Sequence, residues 1–276
     1  MNAVNPSLVF TCDLEFSPKV YGRLSVKDER LIIGQKALVD LLHKYDVTCT
    51  FFTQGKLCLQ CPEMVEDLHS EGHEIGSHGF DHIPMKYLWP VGLFPKISPA
   101  ITRQIDIKKS KEAVFSIIGE KPISFRAPYL AMDQEMLPFL EKEGFLFDSS
   151  LYNPALGKVS SPYHPSAGSY VSEGHMKIWE VPPTVNFFPQ RKYWYYRYPL
   201  ILSLDEQMIR KSIPALIGKF LKNDRYLPLF VTIIHPYELC SPSMVSKVSL
   251  FLDIMKKNEL RSIALRDLLK ESNPKN

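Results

Sequence analysis

The chain has 276 residues, 45% of them hydrophobic and 23% charged, with a formal net charge of +3. That balance suits one large α/β domain spanning residues 1–276; it carries no dense basic run that would indicate nucleic acid, and no apolar run of membrane-span length. The opening stretch MNAVNPSLVF lacks the basic and apolar regions of a secretion signal, and the five cysteines are an odd count, so reduced thiols in a cytoplasmic protein are expected.

In chain order, residues 7–13 read as a first strand, and ERLIIGQKALVDLLHKY follows with apolar residues at helical spacing. VTCTFFT is β-branched and aromatic, hence a second strand. CPEMVEDLHSEG reads as a short helix with Pro62 in its first turn and Gly72 as its stop. HEIGSH is a third strand or strand end, and residues 83–100 are a proline- and aromatic-rich loop. ITRQIDIKKSKEAVFSIIG predicts a helix ending at Gly119, ISFRAPY a strand, MDQEMLPFLEKEG a helix and FLFDSSL a strand. Residues 152–200 are less regular, with one clear strand in KIWEVPP. Two helices, the strand LPLFVTIIHP and the helix SKVSLFLDIMKKNEL come next, and SIALRDLLKES closes the pattern. Alternating strands and helices predict a parallel sheet. In such folds the chemistry gathers at the C-terminal strand ends, where Asp13, His78, Arg126, Asp148 and His235 all fall.

The stretch TCDLEF ends an apolar run in two carboxylates, Asp13 and Glu15, which alternation puts on one side of the strand. Two acids held together repel unless a cation lies near them. HEIGSHGFDH supplies His78 and His82 at i, i+4, which share a side if the residues between them coil into a helical turn. Two histidines and one carboxylate leave an open position on zinc, the pattern of catalytic sites. His73 is expected to pack or cap the start of its strand. In FRAPY, Pro128 restricts Ala127, and the turn can aim the Tyr129 N–H, while Arg126 can keep an aspartate ionised. His235 ends an apolar strand where it can protonate a leaving group, and Asp148 is a candidate to hold its tautomer. Cys58 and Cys61 form a single CxxC, better suited to capping or packing than to a metal site. The cluster Tyr193, Trp194, Tyr195 and Tyr196 fits a sugar-stacking platform or ordinary packing equally well.

Taken together, GHEIGSHGFDH, FRAPY, GFLFDSSL, WEVPP and TIIHP resemble the polysaccharide deacetylase family, the NodB-homology or carbohydrate esterase 4 enzymes, from Leu8 to about Leu269. The resemblance implies an irregular (β/α) barrel of about seven parallel strands. That family's first motif has two adjacent aspartates; here Leu14 follows Asp13, which matches a branch with D-x-D or D-x-E. By this correspondence Glu15, His78 and His82 hold one divalent metal, zinc by preference, and Asp13 is the general base steered by Arg126. The Tyr129 N–H would bind the oxyanion and His235, with Asp148 behind it, would protonate the amine. The implied reaction removes an N-acyl group, acetyl above all, from an amino sugar in a glycan or carrier-linked precursor; a homo-oligomer is compatible with it. A metal-free cyclic imide or ureide hydrolase and an inactive glycan-binding barrel are the rival readings.

Overall fold

The computed structural model describes residues 7–17, 28–83, 99–151, 161–184, 204–221 and 229–271. The chain divides into two units, one drawn from Met1–Cys49, Pro154–Ser161 and Pro183–Ala264, the other from Thr50–Asn153, Pro162–Pro182 and Leu265–Asn276.

The first unit is built on β1 (Ser7–Leu14), every residue of which is buried. Parallel strands β9 (Leu229–Val231) and β10 (Arg261–Ser262) flank it, with Leu8 opposite both Phe230 and Ser262. Burial on both faces explains why β1 reads as a continuous apolar run instead of an alternating one. Helix α1 (Glu29–Tyr45) has the limits its periodicity predicts. Asp28 caps it by accepting from the Leu31 N–H, and the same carboxylate accepts from the Ser17 N–H and hydroxyl. The cap therefore also fixes the backbone just after Glu15. Gly34 on α1 lets the 236–240 backbone come close, since a Cβ there would lie 1.7 Å from the Pro236 carbonyl oxygen. Two further helices, Glu206–Leu221 and Pro242–Lys257, belong to the same unit. The first carries Pro214 inside it and is one of the two helices expected before the strand LPLFVTIIHP; the other falls outside the described residues.

The second unit holds a parallel sheet in the order β2 (Cys49–Thr53), β3 (Glu74–Ser77), β4 (Ser124–Phe125), β5 (Phe147–Asp148) and β8 (Trp179–Glu180). Its crossovers are α2 (Gly55–Gln60), α3 (Pro62–Ser70), α4 (Ala100–Ile118) and α5 (Met136–Lys142). Gly119 ends α4 with φ +73°, and Gly72, with φ +87°, follows α3, as stops of this kind require. Phe125, Phe145, Met136 and Ile178 lie in one buried cluster beneath the sheet, each large side chain contributing about 1.5–3 kcal/mol by burial. Two elements differ from expectation. Helix α2 was not predicted, and β6 (Pro165–Ser166) with β7 (Ser169–Glu173) forms an antiparallel hairpin within the irregular stretch. The Tyr193–Tyr196 cluster lies outside the described residues.

Candidate functional site

In the first unit, Asp13 and Glu15 are 5% and 6% exposed. Alternation puts them on one side, and His235 shows it: its Nε2 lies 3.9 Å from Asp13 Oδ2 and 3.8 Å from Glu15 Oε1. Those separations are ion-pair contacts, too long for hydrogen bonds. His235 stands at the end of β9's extension, where Ile234 bridges to Cys12 and its carbonyl accepts from the Asp13 N–H. The register of this parallel pairing is what brings residue 235 beside residues 13 and 15.

The partner expected on the other side of the His235 ring is replaced. Glu238 Oε2, not Asp148, lies 3.1 Å from Nδ1, and it also accepts from the His235 N–H. Pro236 starts a tight turn that returns the chain so that residue 238 sits under residue 235. A carboxylate can only accept, so Nδ1 carries the proton. Burial works against the charged imidazole, but the Glu238 hydrogen bond and the charges of Glu238, Glu15 and Asp13 outweigh it and raise its pKa to about 9. Tyr237 stacks on the ring at 5.1 Å and donates to Glu15 Oε1. Burial, together with Glu15 and Glu238, keeps that phenol protonated.

In the second unit, β3 ends at Ser77 and delivers His78, 1% exposed, and His82, 4% exposed. The connecting residues do not form the helical turn that the i, i+4 spacing suggested. Gly79 at φ +70° and His82 at φ +58° bend the chain instead, and the two rings still approach to 5.0 Å. His78 Nδ1 lies 2.8 Å from the Arg126 carbonyl oxygen. A carbonyl accepts only, so Nδ1 holds the proton and Nε2 presents the lone pair. This is the backing that metal-binding imidazoles use. The donor set of the two buried imidazoles therefore fits a divalent ion. The ring of Tyr129 lies 4.6 Å from that of His82, and Tyr129 and Leu130 both have positive φ, 59° and 52°. Such backbone in non-glycine residues is uncommon and recurs at functional sites.

Arg126 is fully buried, donates from Nε to the Ser149 carbonyl at 3.0 Å and from Nη2 to the Ser149 hydroxyl at 2.9 Å, and lies over the Phe52 ring. Asp148 accepts from the Ser150 hydroxyl at 2.5 Å. Its register partner across the β5–β8 pair is Glu180, also fully buried, whose Oε1 accepts from the Leu151 N–H. Burial pushes Asp148 up to about 6. Burial, then the charge of Asp148, pushes Glu180 well above its ordinary value. Three residues that bear on the geometry escaped the sequence reading: Glu180, Glu238 and Asp106, which accepts from the Phe80 and Asp81 N–H groups. The charged residue inside KIWEVPP and the acid three residues after His235 were visible signals; Asp106, in mid-helix, offered none.

His73 packs its ring 5.4 Å from Phe51, as expected of a structural histidine. Cys58 and Cys61 are not in a disulfide, and burial raises Cys58 to about 12, which makes it an inert packing group.

Residues 34–147 match the family model described as polysaccharide deacetylase. The chain is 31% identical over 101 residues to a peptidoglycan-N-acetylglucosamine deacetylase of Listeria monocytogenes, a match covering 36% of this chain and 19% of that protein. This chain therefore spans only about a fifth of that relative's length. A Mycobacterium smegmatis structure assigned as a polysaccharide deacetylase superimposes with a TM-score of 0.70 over 98% of this chain and 91% of its own, at 20% identity. PuuE allantoinase superimposes with a TM-score of 0.73 over 100% of this chain and 92% of its own, at 14% identity. The NodB-like α/β fold implied by the sequence is thus the fold of the chain.

Proposed function

We propose, from the match of residues 34–147 to the polysaccharide deacetylase model, a metal-dependent hydrolase that removes an N-acetyl group from an amino sugar in a glycan or carrier-linked precursor, acting as one catalytic domain. The observation that carries the reading is the buried His78–His82 pair, with His78 Nδ1 committed to the Arg126 carbonyl, inside the matched segment.

In this reading His78, His82 and Glu15 hold the ion, with zinc favoured by two imidazoles and one carboxylate. When bound, the ion would polarise the acyl oxygen and acidify a water. Asp13, buried beside Glu15, takes the proton of the attacking water. The Tyr129 N–H donates to the oxyanion that develops on the acyl oxygen. His235 gives its Nε2 proton to the departing amine, and Glu238 holds the ring in the orientation that this needs. Arg126 steers the base, and Asp148 with Ser149 and Ser150 fixes the strand end that carries it.

The test is elemental analysis of the wild-type chain beside His82→Ala, followed by release of acetate from N-acetylglucosamine oligomers. About one divalent ion per wild-type chain, lost together with acetate release in the variant, supports the reading. Turnover that persists in His82→Ala would sink it. A wild-type chain that takes up no ion but opens a cyclic ureide would establish the metal-free rival, whose fold PuuE allantoinase shares.

A further inference from the structure

We propose that Asp106 is a positioning residue for the His78–His82 pair, setting the turn between them so that both imidazoles meet one ion; the inference rests on the metal-centre reading above.

Asp106 comes from the middle of α4 and is 5% exposed. Its two oxygens are divided between consecutive amides of the turn: Oδ2 accepts from the Phe80 N–H at 2.9 Å and Oδ1 from the Asp81 N–H at 2.8 Å. The carbonyls of the same turn are held from another side. The Gly55 N–H donates to the Gly79 carbonyl at 2.8 Å and the Lys56 N–H to the Phe80 carbonyl at 3.2 Å, both from the first turn of α2. Every backbone group named is thus fixed by an element outside the turn.

This matters because the turn is not a helix. In a helical His-x-x-x-His the i→i−4 bonds hold the two rings in phase. Here Gly79 at φ +70° breaks that ladder, so the phase has to come from α2 and α4. Gly79 also makes the contact feasible: a Cβ at that position would lie 2.7 Å from Asp106 Oδ2. A carboxylate bridging two successive peptide planes stops either from rotating, and His82 follows those planes directly. Asp106 is given no contact with substrate or ion, so it acts only through the turn.

The experiment uses the whole chain with zinc and cobalt(II) as probes. Zinc affinity by chelator competition, the visible spectrum of the cobalt(II) form and the melting temperature of the metal-free protein are compared for wild type, His82→Ala, Asp106→Ala and Asp106→Asn. Loss of an outer support of this kind lowers metal affinity by roughly 10–100-fold. Asp106→Ala is expected to show that loss with an altered cobalt spectrum. Asp106→Asn should lose less, because its oxygen still serves one amide while its NH₂ faces the other, and it carries the test if the alanine variant does not fold. Zinc bound by wild type, lost in His82→Ala and held with wild-type affinity and spectrum in both Asp106 variants overturns the positioning role alone. A lowered melting temperature with an unchanged cobalt spectrum overturns it too, leaving Asp106 as scaffold. No zinc in wild type overturns this inference together with the metal centre.

Discussion

Replacing Glu180 with glutamine tests whether the acids at the β5–β8 pair share a proton. Asp148 and Glu180 are register partners, both fully buried, and Arg126 is the cation that acts on both. Two carboxylates against one guanidinium balance only if one acid stays protonated. Burial, then Asp148, raises Glu180, and burial raises Asp148 to about 6. A raised acid contributes stability that is fully present below its unfolded value and is lost as pH rises through the folded value. An unfolded glutamate is ionised by pH 6, while folded Glu180, raised well above its ordinary value, releases its proton at higher pH, so between the two values folding retains one extra proton. Each such proton costs about 1.4 kcal/mol per pH unit over the interval in which only the unfolded acid is ionised. Glutamine keeps a carbonyl for the Leu151 N–H and removes the titration. The other groups that face the pair, Tyr163 and Ser150, do not titrate below pH 8. Chemical denaturation at pH 6 and pH 8 should show wild type losing more stability than Glu180→Gln over that interval, by no more than about 1.4 kcal/mol per pH unit. Parallel pH profiles would refute the shared-proton argument.

Glu238→Gln should leave bound metal unchanged and slow deacetylation by about 10²-fold, the low end of what an oriented proton donor contributes; equal rates would remove Glu238 as the holder of His235. His235→Ala should cost roughly 10²–10⁴-fold in turnover, again with metal retained, and a wild-type rate would take His235 out of the mechanism. Gly34→Ala drives a methyl to 1.7 Å from the Pro236 carbonyl oxygen, so the 236–240 turn must shift. That overpacking should cost about 1–3 kcal/mol in denaturant unfolding and disturb His235 as well; unaltered stability would show that α1 moves freely.

Several elements were legible because their causes are local. Helix α1 shows its apolar face within 17 residues, and Pro62, Gly72 and Gly119 act through their own dihedral limits. The side shared by Asp13 and Glu15 follows from alternation alone. Less legible were elements too short to carry a period. Helix α2 has six residues, and the β6–β7 hairpin is defined by pairing across a turn, not by an apolar pattern. The i, i+4 spacing of His78 and His82 suggested the right neighbours by the wrong route, because spacing cannot tell a helical turn from a bend at Gly79.

The chain by itself determined the inventory: two histidines four apart, an acid pair at the end of a buried strand, an arginine before Ala127-Pro128 and a histidine before Pro236. These are residue types in fixed covalent order, and their chemistry travels with them. Only the tertiary structure decided which groups hold them. Asp106 lies 25 residues from Asp81, and Glu180 lies 32 from Asp148; Glu238 reaches His235 through a turn whose shape Pro236 biases but packing completes. Hydrogen bonds and burial depend on distance through space, and no one-dimensional period encodes it.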